Sequence, residues 1–251
     1  MTHQKGTAMN RQEIVAEYHS QGFIHLPAWY AGEELAEIRS AIERYNREVV
    51  PGVPESDVVF EADGTAIRNC WRMQAHDPFF TRLPAEERLQ TLIAELVNGT
   101  PTCMGVETFN KPAKVGSGVP PHQDNAYFCQ APPDVLTVWI ALDDVTPQNG
   151  PVHYLPGSHT NGVHEHVPSG VKGNSFGLAE PVDETQAKAA LLKAGDVLIH
   201  HSQTIHFSAP NVSDFPRLGL LLVFRGEHTQ DSPEMKAAYQ KARALMEAGT
   251  S

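Results

Sequence analysis

The chain predicts a mainly β fold, a double-stranded β-helix (jelly roll) with N-terminal helices packed on one outer face. Three observations lead there. Helical periodicity is confined to residues 11–98 and a tail at 233–248. Strand-like runs, punctuated by Pro, Gly and Asn-Gly turns, fill residues 102–226. Nowhere do strands and helices alternate as a doubly wound sheet requires, so closure of the strands on themselves is the economical solution. The 251 residues suffice for one sizeable core and show no internal repeat. We expect a single domain over 1–251, with residues 1–9 a loose tail.

Ile14, Val15 and Tyr18 recur at helical spacing, and Gly22 is a natural stop. Phe23-Ile24-His25-Leu26 is a short strand closed by Pro27. From Glu33 a longer helix carries Leu35, Ile38, Ile42 and Tyr45 on one stripe, with acidic residues in the first turn where the helix dipole favours them. Residues 50–68, rich in Pro, Gly and Asp, read equally as a lid or a connector. A helix over 85–98 turns Leu89, Leu92, Ile93 and Leu96 inward and closes at Gly99. Strands are expected over 102–113, 135–144, 151–155, 189–201 and 216–225, followed by a surface helix over 233–248.

Bulk chemistry narrows the function. A net charge of -11 argues against nonspecific binding to nucleic acid or to an anionic membrane, both of which want a basic surface. It does not exclude a small anionic ligand in a basic pocket. Cys70, Cys103 and Cys129 are widely spaced and form no CxxC, the pattern of reduced thiols. No apolar run approaches a membrane span, and the first residues lack a signal-peptide apolar region. A cytoplasmic protein is expected; its oligomeric state is not legible.

The stretch with most chemistry is Pro120-Pro121-His122-Gln123-Asp124. Two prolines forbid helix at its start, so His122 begins extended, and i, i+2 geometry puts His122 and Asp124 on one side with Gln123 facing away. An imidazole and a carboxylate offer two ligands to a divalent metal, and one more histidine completes the facial set of non-haem Fe(II) oxygenases. By itself His-x-Asp is common and ordinarily a surface pair. Thirteen histidines compete for the third position. His153, His159, His164 and His166 lie near a Pro/Gly-bounded loop, where solvated side chains are usual. His200, His201 and His206 follow the Gly195-Asp196 turn, and of these His206 alone directly precedes the Ser-Ala-Pro-Asn turn.

Taken together and in order, HQD at 122–124, Trp139, LPGSH at 155–159, GDVLIHHSQTIHFSAPN at 195–211 and Pro216-Arg217 resemble the phytanoyl-CoA dioxygenase family of Fe(II)/2-oxoglutarate oxygenases. The resemblance runs from about residue 11 to 226 and implies a cupin-like barrel. It implies iron on His122, Asp124 and His206, and Arg217 gripping the far carboxylate of 2-oxoglutarate with help from Ser208. Gln123, Trp139, Asn110 and Lys111 match positions that line the co-substrate slot. Arg225, at the far end of the same run, is the competitor to Arg217. A planar guanidinium suits that task because it takes a carboxylate bidentately, where lysine supplies charge without the fork.

The implied reaction couples oxidative decarboxylation of 2-oxoglutarate by O2 to hydroxylation of an unactivated C–H bond. Relatives that halogenate replace the aspartate with a small residue, so Asp124 implies hydroxylation. Asn125, Tyr127 and Phe128 follow the iron pair and are substrate candidates, with Arg68, Arg72 and, less directly, His159 beside them. Relatives act on acyl-CoA thioesters, ectoine-type osmolytes, aminophosphonates and natural products. A small polar metabolite is expected here, with 2-aminoethylphosphonate as the concrete guess and Arg68, Arg72 or Lys114 as its phosphonate partner. The rivals are a cupin-like metal isomerase that needs no 2-oxoglutarate, and a metal-free binding module.

Overall fold

Local chemistry frames the fold from the first helix. In the computed structural model, which describes residues 9–171 and 174–249, α1 (Arg11–Gln21) begins at Asn10. The Asn10 side chain accepts from the Glu13 N–H, and Glu13 reaches back to the Asn10 N–H. The helix stops at Gly22, whose φ of +83° is the left-handed conformation glycine adopts at no steric cost. The tail expected at residues 1–9 lies outside the described residues apart from Met9.

Next come β1 (Phe23–Leu26), α2 (Gly32–Arg44), β2 (Val58–Phe60), β3 (Ile67–Cys70), α3 (Pro78–Arg82) and α4 (Glu87–Leu96). The barrel strands are β4 (Pro101–Lys111), β5 (Val119–His122), then a short α5 (Asn125–Phe128), β6 (Gln130–Ala131), β7 (Val135–Ala141) and β8 (Val152–Tyr154). They continue with β9 (His166–Val171), β10 (Asn174–Leu178), β11 (Lys188–Ala189), β12 (Val197–His201), β13 (His206–Ser208), β14 (Arg217–Gly226) and β15 (Gln230–Asp231). α6 (Pro233–Gly249) ends the described chain.

The strands form a large antiparallel sheet, β1-β12-β7-β14-β4-β3-β2, and a smaller one, β11-β8-β13-β5. Between them they enclose a cavity, the arrangement of a double-stranded β-helix. Parity assigns each residue its side. On β4, β7, β12 and β14, Val106, Leu136, Val138, Ile140, Val197, Ile199, Leu220, Leu222 and Phe224 face outward. There they pack with Tyr18, Ile38, Ile42, Leu89, Leu92 and Ile93 of the helices. Each such side chain removed from water contributes about 1.5–3 kcal/mol, which is what fixes the helices to this face. Alternate residues Glu107, Phe109, Thr137, Trp139, His200 and Leu221 line the cavity.

Several expectations change in detail. Residues 50–68 are not one loop, because β2 and β3 pair as a hairpin at the edge of the large sheet. The run 189–201 splits at the Gly195 turn into β11 and β12. α6 is more than a surface helix, since Tyr239 turns inward against Tyr127 and Phe176, with ring centroids 6.5 and 5.4 Å apart. β5 ends at His122, and Asp124 has helical backbone. The turn into α5, rather than continued extension, brings its carboxylate back beside His122.

One glycine couples sheet and cavity. A Cβ on Gly219 would sit 1.8 Å from Nε1 of Trp139, so the indole lies flat across β14 only because nothing stands there. Gly219→Ala is therefore expected to lose about 1–3 kcal/mol in urea unfolding as the indole is displaced. Gly105→Ala, in the neighbouring strand with open space around it, should change little. Equal losses in the two variants would contradict this reading.

Candidate active site

β5 and β13 are antiparallel neighbours, and their register sets His122 directly opposite His206, with ring centroids 4.1 Å apart. Each ring is oriented from behind. Nδ1 of His122 lies 3.0 Å from the Pro120 carbonyl, and Nδ1 of His206 lies 2.9 Å from that of Thr204. When Nδ1 carries the proton and donates it to these carbonyls, both Nε2 lone pairs point into the cavity. Oδ1 of Asp124 stands 3.6 Å from one Nε2 and 3.5 Å from the other. One ligand atom from each residue falls within 4.8 Å of the others, a group able to hold a metal ion.

The second carboxylate oxygen is tied away from that point. Oδ2 of Asp124 accepts from the Thr137 hydroxyl at 3.0 Å and meets Nε2 of His200 at 2.9 Å. Nδ1 of His200 contacts the Tyr154 hydroxyl at 3.2 Å. Burial opposes ionisation of Asp124, but the attraction of His206 and hydrogen bonds from His122 and His200 hold its carboxyl well below the usual range. Burial, then the neighbouring His122, drives His206 well below its ordinary value, favouring the neutral imidazole that a metal requires. Two neutral imidazoles and one carboxylate, fixed from behind and open in front, fit a ferrous ion.

The triad faces a cavity of about 320 Å³. Arg217 also lines it, only 2 % exposed, with its guanidinium 5.0 Å from the centre of the Trp139 ring. Among the described residues it forms no hydrogen bond or ion pair, and its Nε is buried without a partner. A guanidinium enclosed this way, with Ser208 on the same cavity wall, is built to receive an anion. The site as a whole suits a metal-dependent enzyme that also takes up a carboxylate.

The structure sorts the remaining candidates. Trp139, Tyr127 and Phe128 line the cavity. Gln123 does not: fully buried, it donates to the Gly162 and Gln203 carbonyls and accepts from the His164 N–H, clamping loops together. Asn110 faces the other side of β4 and donates to Ile67. Lys111 is buried and bonded to the Ala209 carbonyl, behind the cavity wall. Asn125 is spent on the turn, bonded to both backbone groups of Gln130.

The basic candidates fare no better as phosphonate partners. Arg68 is neither on the surface nor in the cavity; it is 1 % exposed, 3.1 Å from Glu61, beside a neighbouring pocket. Arg72 is exposed and pairs with Asp57, and Lys114 pairs with Asp214 at the surface. Arg225 keeps the parity of Arg217 but stands at the far end of β14, where it bonds to Gln130 and does not line the cavity. His159 packs on His201 and reaches the His19 carbonyl. His201 points outward towards Tyr18, whereas His200 points in and braces Asp124.

Sequence reading passed over Thr137, Tyr154, Trp71, Glu107 and Tyr239, all of which line the cavity. Glu107 had a signal. It shares strand parity with Phe109, and it is the one acid within β4. Burial, then the nearby Asp124, raises its carboxyl to about 7.

Comparison with known proteins agrees with this geometry. The family model for phytanoyl-CoA dioxygenase matches residues 18–219. The phytanoyl-CoA dioxygenase domain-containing protein 1 of Danio rerio is 28% identical over 169 residues, 64% of this chain and 58% of that protein. The chain thus spans little more than half the length of such curated relatives. A Stutzerimonas stutzeri protein named "Probable alpha-ketoglutarate-dependent hypophosphite dioxygenase" is 26% identical over 216 residues, 82% of this chain and 75% of that one. Among solved structures, EvdO2 from Micromonospora carbonacea var. aurantiaca complexed with 2-oxoglutarate superposes with a TM-score of 0.73 at 26% identity, covering 91% of this chain and 94% of that one. The chain belongs to the phytanoyl-CoA dioxygenase family of non-haem Fe(II)/2-oxoglutarate-dependent oxygenases. Iron, 2-oxoglutarate and O2 are the cofactor and co-substrates that membership brings.

Two measurements follow from the geometry. Thr137→Val and His200→Leu each leave Oδ2 of Asp124 with one partner, and each should weaken Fe(II) affinity about 10–100-fold in chelator competition. Unchanged affinity in both would mean that the bracing is incidental. Lys111 gives a pH dependence. Burial, then the charges of Arg217 and Arg68, lowers its ammonium to about 6 in the fold, against about 10.4 in the unfolded chain. Between those values the unfolded chain binds the extra proton, so its contribution makes stability rise with pH, with the full penalty below the window and none above. Lys111→Met should flatten that rise in denaturation series from pH 6 to 10 and raise stability at pH 7.

Proposed function

We propose that this chain is an Fe(II)- and 2-oxoglutarate-dependent dioxygenase that hydroxylates an unactivated C–H bond of a small polar metabolite, releasing succinate and CO2. The observation that carries the reading is Arg217: a buried guanidinium with no protein anion, in the same cavity as the His122, Asp124 and His206 triad. His122, Asp124 and His206 would hold the iron. Arg217, with Ser208 beside it, would take the far carboxylate of 2-oxoglutarate. When bound, the metal with its co-substrate supplies the oxidising power.

The chain's own residues orient and enclose. Trp139 and Phe109 flank Arg217 and keep water from its ion pair, which strengthens it. Thr137 and His200 fix Asp124 so that one oxygen stays directed at the metal. Tyr127, Phe128 and Tyr239 line the cavity and are candidates to seat the substrate. The three thiols are free, which fits the reducing cytoplasm expected for this chain. No helix among the described residues is long and apolar enough to cross a membrane.

2-Aminoethylphosphonate remains a member of the substrate class to be tried, and the hypophosphite dioxygenase among the relatives adds phosphorus oxyanions to the panel. The isomerase reading is separated by Arg217, which that chemistry does not need. Anaerobic addition of Fe(II) and 2-oxoglutarate should produce the weak visible charge-transfer band of a chelated ferrous site. His122→Ala, Asp124→Ala and His206→Ala should each abolish the band and succinate release. Arg217→Ala should raise the 2-oxoglutarate requirement on the order of 100-fold. Full turnover in any triad variant, or indifference of turnover to 2-oxoglutarate, would overturn the proposal.

A further inference from the structure

Glu107 is the charged group in the cavity that this chemistry leaves unused. It projects inward from β4, opposite Leu221 of β14, and lines the cavity with the triad and Arg217. It lies outside the group of three metal-competent side chains. Among the described residues its carboxyl has no hydrogen bond and no ion pair. The fully buried acids differ: Glu61 holds Arg68, Asp77 holds Arg44, Asp57 holds Arg72 and His76, and Asp196 takes His25 together with backbone N–H groups. Glu107 is half-buried at the cavity wall, and a carboxylate there gains from a ligand that supplies a cation.

Charge and surface both point to that ligand. The formal charges of a ferrous ion, Asp124, 2-oxoglutarate and Arg217 cancel, so Glu107, once ionised, adds a negative charge that only a ligand can balance. Among the described residues no second cationic side chain lines it, since Arg68, Arg72 and Lys111 are held elsewhere. Trp71, Tyr127, Phe128 and Tyr239 do line it, and aromatic faces attract a cation. An anionic substrate would meet Glu107 unshielded, whereas a cationic one would meet both an acceptor and rings.

Building on the dioxygenase reading above, we propose that Glu107 is the specificity-determining residue and that the substrate is a small organic ammonium. A primary or secondary ammonium donates a charge-assisted hydrogen bond to the Glu107 carboxylate and rests its carbon skeleton on the aromatic wall. That contact seats the molecule at the other end of the same cavity wall from Arg217, which leaves the two charged ends of the site with separate tasks. An aminophosphonate would satisfy the rule through its amine end, not through its phosphonate.

The test uses matched probes on the Fe(II)- and 2-oxoglutarate-loaded enzyme. Methylammonium, 1,4-diaminobutane and 2-aminoethylphosphonate are compared with methanol, 1,4-butanediol and 2-hydroxyethylphosphonate. Two readouts are taken, perturbation of the anaerobic charge-transfer band and stimulation of succinate release. The amines should perturb the band at concentrations about 10–100-fold lower than their neutral counterparts. Glu107→Gln should erase that preference, and Glu107→Asp should keep part of it. Equal responses to amine and alcohol, no response to any amine, or an undiminished preference in Glu107→Gln would overturn the inference. The band formed by Fe(II) and 2-oxoglutarate alone is the loading control. Its absence in the unaltered protein would sink the dioxygenase reading, whereas a normal band without amine preference sinks only the role of Glu107.

Discussion

The structure depends on one cross-strand register, the pairing that sets His122 of β5 opposite His206 of β13. A slip of one residue in either strand would turn its imidazole out of the cavity, because side chains alternate faces along a strand. The register is not left to these two short strands alone. β13 also pairs with β8, setting His206 against Tyr154, whose hydroxyl reaches His200. His200 belongs to β12 in the opposite sheet and holds Asp124. The two sheets are thus tied to each other through the same polar groups that define the site, and the helices are tied to the large sheet by its outward face.

Polar groups inside such a cavity must be accounted for one by one, since each unpaired one costs stability. Oδ2 of Asp124 is satisfied by Thr137 and His200, while Oδ1 is left facing the two Nε2 atoms. The backs of His122 and His206 are satisfied by carbonyls two residues before each, a local arrangement that the extended chain provides without help from elsewhere. Beside the neutral Trp139 Nε1 and Asn69 Oδ1, Arg217 and Glu107 are, among the described residues, the charged groups of the cavity left without a partner. Both are inward on neighbouring strands of one sheet, four residues apart along the shared register, since Arg217 pairs with Lys111 and Leu221 with Glu107. Two opposite charges at the two ends of one cavity wall that do not pair with each other support a ligand site with two polar ends. Stability has been given up there for recognition.

How much of this was legible in the sequence follows from whether a signal is local. Helix ends are local, so Gly22 stops α1 and Leu89, Leu92, Ile93 and Leu96 face inward as their spacing dictates. The long strands announce themselves through apolar β-branched runs. Motif order points to His122, Asp124, His206 and Arg217, which the fold brings to one cavity. What failed was long-range. Arg68 was weighed between surface and pocket, yet its fate was decided by Glu61 across the β2 to β3 hairpin. Gln123 and Asn125 sit beside the ligands in sequence, but the helical turn at Asp124 directs them to backbone partners. Arg225 shares the face of Arg217, as alternation assigns it, but its distance along β14 and its bond to Gln130 keep it from the cavity.

The same distinction explains why the role of His200 and that of His206 could not be separated from local chemistry. Both are buried and both face the cavity, with ring centroids 4.7 Å apart, and both approach Asp124. They differ in what stands behind them. His206 has a carbonyl behind Nδ1, an acceptor that fixes the proton there and leaves Nε2 free to bind a metal. His200 has a tyrosine hydroxyl behind Nδ1, which can donate, so its Nε2 can carry the proton towards Oδ2 of Asp124. His206 is thereby suited to bind a metal and His200 to donate to Asp124. The difference rests on a group, Tyr154, that lies 46 residues away from His200 along the chain.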